Sequence, residues 1–236
     1  RLSRRLGRSQ GAGGIKRTKS RHEAESEGIR KSKSLGRRIS RTFGVEEFIF
    51  QPELTKEEQF EKDMRDIVET EAAKPNDRSI FDPPYEILEH MYLGTSNQAR
   101  DISGLKQVGI THVINFAPNN MKNDTSKESM ERAGLKYLEF PCRDDDTYDM
   151  GQHFADAYRF IEEARTEGKI LLYSMKGLNT SGYIAVAYTM IYKKIDLLQA
   201  LRLCAEKRGI LLMNANFRKQ LYIFAKDQDM LEYLPF

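Results

Sequence analysis

Residues 169–188 read Lys-Ile-Leu-Leu-Tyr-Ser-Met-Lys-Gly-Leu-Asn-Thr-Ser-Gly-Tyr-Ile-Ala-Val-Ala-Tyr. This pattern is an apolar strand, a short turn around Gly177 and an apolar helix. A turn that carries a strand's carboxyl end into a helix N-terminus aims backbone N–H groups at an anion. The side chains placed there are the hydroxyls of Ser174, Thr180 and Ser181 and the ammonium of Lys176. For Ser174 to act as a nucleophile it needs an adjacent base held by a third group, and neither Tyr173 nor Met175 can be that base. Gly177 suits a tight turn, and Ser181 suits a cap for the helix that follows. The two cysteines are Cys142, just after a strand candidate, and Cys204, on a helix with Ala200 and Leu201. In such places a free cysteine is a small buried hydrophobe rather than a nucleophile. His22, His90, His112 and His153 show no metal-ligand spacing, so no metal and no cofactor is expected. Asp144 opens the run Asp144-Asp145-Asp146, which by itself reads as a solvated acidic loop.

The elements that must hold this turn follow from periodicity. Short apolar runs alternate with amphipathic stretches from residue 85 onward, the pattern of an α/β layer architecture with a central, mainly parallel sheet. Strands are predicted at Ile87–Leu93, His112–Phe116, Lys136–Phe140 and Lys169–Tyr173. Helices are predicted at about 98–107, 125–133, 151–166, 180–192, 196–207 and 214–232. The last three come without an intervening strand and should form a helical layer over one side of the sheet. Upstream, Thr55 and Glu58 have the form of a capping box, with Phe60, Met64, Ile67 and Val68 on one helical face over 56–72. Pro75, Asn76, Asp77 and Asp82-Pro83-Pro84 break that pattern before the main domain.

Charge divides the chain more sharply than its total of +3 suggests. Residues 1–44 hold 14 Lys or Arg against Glu23, Glu25 and Glu27, a local net of +11 that leaves −8 for the rest. With seven Ser, seven Gly and little apolar surface to offset ordering entropy, this arm is expected to be disordered. The chain is therefore divided into a basic arm (1–44), a helix and linker (45–84) and one α/β domain (85–236). The arm is either a solvated linker or a contact for an acidic filament, anionic lipid or nucleic acid. Arg37-Arg38-Ile39-Ser40 has the form of a basophilic kinase target, so Ser40 is a candidate phosphorylation site. Two thiols in 236 residues suit a reducing compartment, and no apolar run reaches the roughly 18 residues of a membrane span. The expected location is cytoplasmic, with the cytoskeleton or the nucleus as variants. A chain starting at Arg1 is expected to be part of a longer polypeptide.

The turn resembles the catalytic loop of the cysteine-dependent dual-specificity phosphatases, His-Cys-x-x-Gly-x-x-Arg-Ser, with Tyr173, Ser174, Gly177, Thr180 and Ser181 at the named positions. The resemblance extends over about residues 85–228. Met91-Tyr-Leu-Gly94 is similar to the family's first strand and turn, and Gly109-Ile-Thr-His-Val-Ile-Asn115 to its second strand. Asp144, ten residues before Phe154, falls at the general-acid position, and Arg208, Asn214, Phe217 and Leu221 resemble the closing helix signature. The resemblance implies the cysteine-phosphatase fold. It also implies lost chemistry, because serine replaces the low-pKa thiol and Thr180 replaces the arginine that grips phosphate. The expected function is that of a non-catalytic pseudophosphatase of the serine/threonine/tyrosine-interacting type, which binds or scaffolds proteins. Kinases, phosphatases or their substrates, and cytoskeletal proteins are the implied partners. The alternatives are residual phosphatase activity from a displaced nucleophile, or an electrostatic adaptor working through the arm. Met213 stands where the family pattern has Pro before Asn214, and the helix over 56–72 resembles an extra family helix beside the active-site face.

Overall fold

The computed structural model describes residues 53–76, 82–118 and 126–231. The basic arm, with His22 and Ser40, lies outside the described residues. All elements below belong to the compact unit Thr55–Phe236.

Five strands form one sheet: β1 (Tyr85–Leu88), β2 (Met91–Thr95), β3 (Ile110–Asn115), β4 (Lys136–Glu139) and β5 (Lys169–Ser174). The order is β1-β2-β5-β3-β4, with β1 antiparallel to β2 and every other pair parallel. β5 is thus central, and Thr95 pairs with Ser174 while Asn115 pairs with Tyr173, so three strands deliver their carboxyl ends to one place. This is where open α/β sheets bind ligands.

The helices are α1 (Lys56–Ala72), α2 (Ser96–Arg100), α3 (Ile102–Gln107), α4 (Lys127–Arg132), α5 (Phe154–Glu167), α6 (Thr180–Lys193), α7 (Leu197–Arg208) and α8 (Ala215–Asp227). α6 is apolar nearly all round and sits in the middle of the larger core, between the sheet and α5, α7 and α8. On β5, Ile170 and Leu172 face that core, whereas Leu171 and Tyr173 face a smaller one closed by α2, α3 and α4 through Ala99, Leu105 and Met130. The alternation explains the uninterrupted apolar run of the strand: both faces are covered.

α1 is capped by the Thr55–Glu58 box, with Glu58 N–H donating to Thr55 Oγ1 at 3.2 Å and Thr55 N–H donating to Glu58 Oε2 at 2.8 Å. Phe60, Met64 and Val68 enter the larger core against α7 and α8, and Ile67 is partly buried beside them. No helix among the described residues is long and apolar enough to cross a membrane.

Three boundaries differ from the sequence expectation. The stretch Ile87–Leu93 is two antiparallel strands, because the chain turns at Glu89 and His90. His90 is buried there, with Nε2 2.9 Å from Tyr188 Oη and its carbonyl accepting from Ile170 N–H at 2.8 Å. The expected helix 98–107 is two, since Asp101 leaves helical conformation and its carboxylate accepts from Gly104 N–H at 2.9 Å to start α3. α8 stops at Asp227, where Asp229 turns left-handed with φ 56°.

Candidate functional site

The loop between β5 and α6 owes its shape to bonds made from outside it. The Met175 carbonyl accepts from Ser96 N–H and Oγ–H at 3.5 and 3.3 Å. Arg208 donates to the Lys176 carbonyl at 2.9 Å and to the Gly177 carbonyl at 3.2 Å, and Leu212 N–H donates to the Leu178 carbonyl at 3.3 Å. Across a trans peptide the next N–H points opposite its carbonyl, so four carbonyls drawn outward turn the N–H groups of residues 176–179 toward the hollow. Gly177 adopts φ +63°, and a Cβ on it would stand 2.3 Å from the Gly94 carbonyl oxygen. That close approach, with the positive φ, explains why glycine occupies position 177.

Ser174 is buried, and its hydroxyl accepts from Gly177 N–H at 3.1 Å and lies 3.2 Å from Ser181 Oγ. Among the described residues no histidine or carboxylate is bonded to it. Ser181 was expected to cap the helix; instead it is the second residue of α6 and fully buried against Ser174. The N-cap is Asn179, which makes no side-chain cap bond, because its amide is used elsewhere. Thr180 is buried at the first position of α6. Tyr173 points away from the loop into the smaller core.

Asp144 is brought to the same place. Its carboxylate accepts from Asn179 Nδ2 at 2.8 Å and Asn214 Nδ2 at 3.0 Å, while Asn214 N–H donates to Asn179 Oδ1 at 3.2 Å. The residue is solvent-exposed, as its acidic run suggested, yet it is tied to the loop rather than loose. The amide of Asn179 was missed in the sequence; its place before Thr180 signals a cap, and only tertiary contact shows that it serves Asp144 instead.

Of these groups Asp144, Ser174, Asn179 and Thr180 line a hollow of about 390 Å³, bounded also by Phe116, Cys142, Met175, Lys176, Leu178 and Met213. Its lining includes one carboxylate and one ammonium and no guanidinium. The arginine near the loop, Arg208, turns to the loop carbonyls and lies 4.3 Å from the centre of the Tyr85 ring. Lys176 is exposed. Met175 and Met213 are 45% and 43% exposed and give the rim an apolar surface. Arg218 supports that rim from beneath: Nη1 donates to the Leu212 and Met213 carbonyls at 2.8 and 2.9 Å, and Nη2 to Glu61 of α1 at 2.6 Å.

Both thiols are poor nucleophiles. Burial pushes Cys142 up to about 12 and does the same to Cys204, so each is protonated at neutral pH. Cys204 donates to Thr189 Oγ1 at 3.6 Å in the core. Away from the hollow, one set of metal-capable side chains converges among the described residues, namely His112, Glu163 and Glu167. Sequence spacing did not reveal it because the histidine comes from β3 and the carboxylates from α5.

Comparison with known proteins agrees with the geometry. The family description "Dual specificity phosphatase, catalytic domain" matches residues 91–227. Dual specificity protein phosphatase 26 of Homo sapiens is 33% identical over 138 residues, which make up 58% of this chain and 64% of that protein. The chain therefore spans less than two thirds of that relative's length. Dual specificity protein phosphatase 13B of Mus musculus is 29% identical over 140 residues, 58% of this chain and 70% of that protein. The crystal structure of human DUSP28 aligns with a TM-score of 0.56 at 22% identity, covering 66% of this chain and 99% of that one. The human tyrosine phosphatase-like serine/threonine/tyrosine-interacting protein aligns at 0.52 and 23% identity, covering 62% and 97%. At these identities the two structures speak for the fold alone.

Proposed function

The chain belongs to the dual-specificity phosphatase family, and on that premise we propose that it is a non-catalytic member that binds or scaffolds proteins. The observation that carries this reading is the placement of Ser174 at the head of the loop, bonded to Gly177 N–H and Ser181, with no base among the described residues in contact. A serine hydroxyl so placed stays protonated, and attack on a phosphoester needs an ionised or base-activated nucleophile.

Three further features support it. Thr180 offers no bidentate charge to phosphate, and a charge-assisted pair of that kind contributes about 1.5–3 kcal/mol, roughly tenfold to a hundredfold in affinity. With one carboxylate, Asp144, and one ammonium, Lys176, among its lining residues, the hollow presents no net positive charge to a phosphorylated substrate. The exposed methionines of the rim suit an apolar side chain of a protein partner, since methionine adapts its shape to what it meets. In this reading the chain works as its tyrosine phosphatase-like structural neighbour is described, by interaction.

The test compares the purified chain with Ser174→Cys, and with Ser174→Cys combined with Thr180→Arg, on an aryl phosphate. The wild-type chain and its Cys142→Ala and Cys204→Ala variants should all show no turnover above buffer. The double variant should gain turnover well beyond that of Ser174→Cys alone. Turnover by the wild-type chain that disappears with either cysteine would sink the proposal.

A further inference from the structure

β3 presents His112 to α5, where it is 1% exposed and its ring lies 5.1 Å from that of Phe160. The Thr111 hydroxyl lies 2.8 Å from His112 Nδ1 and donates its one proton to the Lys169 carbonyl at 3.2 Å. In the tautomer that carries its proton on Nδ1, which the Thr111 oxygen can accept, Nε2 presents its lone pair to α5. Nε2 has no hydrogen-bond partner and points at Glu163 Oε1 and Glu167 Oε2, each 3.7 Å away. Three possible ligand atoms therefore converge, all within 4.8 Å of one another. The charge between the two carboxylates is met by Lys136, whose Nζ stands 2.5 Å from Glu163 Oε1 and 2.7 Å from Glu167 Oε2. The imidazole is left out of that arrangement.

We propose that His112, Glu163 and Glu167 form a zinc site in which the Lys136 ammonium is the place-holder that the ion displaces. Tetrahedral ligands about 2.0–2.2 Å from zinc stand roughly 3.4 Å apart, close to the 3.7 Å from His112 Nε2 to each carboxylate oxygen. One imidazole nitrogen and two carboxylate oxygens suit zinc, whereas magnesium and calcium prefer oxygen throughout. Thr111 holds the ring through Nδ1, as an outer-shell partner of a metal-bound histidine does. Glu163 and Glu167 stand one turn apart on α5, and their side chains are 43% and 48% exposed, so an ion can enter and a fourth position stays open to water. Lys136 is 48% exposed and can swing into solvent. His112 pairs with Ile170 near the start of β5 and Ser174 ends it, which puts the site on the order of 13 Å along the strand from the hollow. Such an ion would pin α5 to the β3–β4 edge rather than take part in chemistry at the loop.

The test is a calorimetric titration of the metal-stripped full chain with zinc chloride at neutral pH, with magnesium chloride as control. One zinc per chain is expected from this site and no magnesium. Lys136→Met should tighten zinc binding at least about tenfold, and Thr111→Val should weaken it about 10–100-fold, the usual effect of losing an outer-shell partner. Glu163→Gln with Glu167→Gln should abolish it, and because both side chains are exposed the fold is kept. The ¹⁵N shift of His112 Nε2 should move on zinc addition to the wild-type chain. No zinc bound by the wild-type chain, or an affinity unaltered in the Glu163→Gln, Glu167→Gln variant, overturns the proposal.

Discussion

Gly177 shows how much one residue can decide at the loop. Its φ of +63° and the 2.3 Å that would separate a Cβ from the Gly94 carbonyl leave no room for any other side chain. Because the obstacle is backbone on the neighbouring strand end, nothing flexible can yield. Gly177→Ala should therefore cost on the order of 3 kcal/mol or more, read as a fall in the urea midpoint with unchanged slope. At this scale the sequence was informative about the loop, since Tyr173, Ser174, Gly177, Thr180 and Ser181 are close in the chain and their order is a pattern. It was less informative about Asp144, whose partners Asn179 and Asn214 lie 35 and 70 residues away. Side-chain amides have no periodicity that announces a distant carboxylate. The capping role expected of Ser181 failed for a related reason: its neighbour Ser174 claims it through the fold.

Elements obeyed their local signals where these were strong. α1 begins at its capping box and buries one face, so Met64, fully buried between α7 and α8, should act as a core residue. Met64→Ala is expected to destabilise the domain by about 3 kcal/mol, within the 2–5 range for such truncations, measurable by thermal or denaturant unfolding. A second consequence follows from Arg218, which joins Glu61 of α1 to the carbonyls of Leu212 and Met213. α1 is thereby linked to the rim of the hollow, and the helix has a part in shaping it besides covering apolar surface. The β1–β2 turn was not legible, because the run from Ile87 to Leu93 is apolar on both sides of Glu89-His90. What bends the chain there is His90 meeting Tyr188 of α6, a partner 98 residues later.

For the molecule as a whole, buried His90 and half-buried His153 set a direction for pH. Burial lowers the pKa of His90 and of His153 from the ordinary 6.5. The unfolded chain then takes up protons at a pH where the folded chain does not, so the stability from these groups is complete above 6.5 and is lost as pH falls through the folded values. The melting temperature should decline as buffer is taken from pH 7.5 toward 5; a constant value across that range would contradict it. The charge division of the sequence belongs to this scale too. The basic arm balances a domain portion of net −8, which the total of +3 conceals.

The outward-drawn carbonyls of residues 175–178 carry a last implication, for descent rather than for folding. Ser96, Arg208 and Leu212 hold the loop through main-chain oxygens, and main-chain oxygens are indifferent to which side chains stand at 174 and 180. A lineage can thus exchange the side chains of such a loop one at a time while inheriting its contour intact. Shape and side-chain chemistry can be passed on separately in a loop held this way.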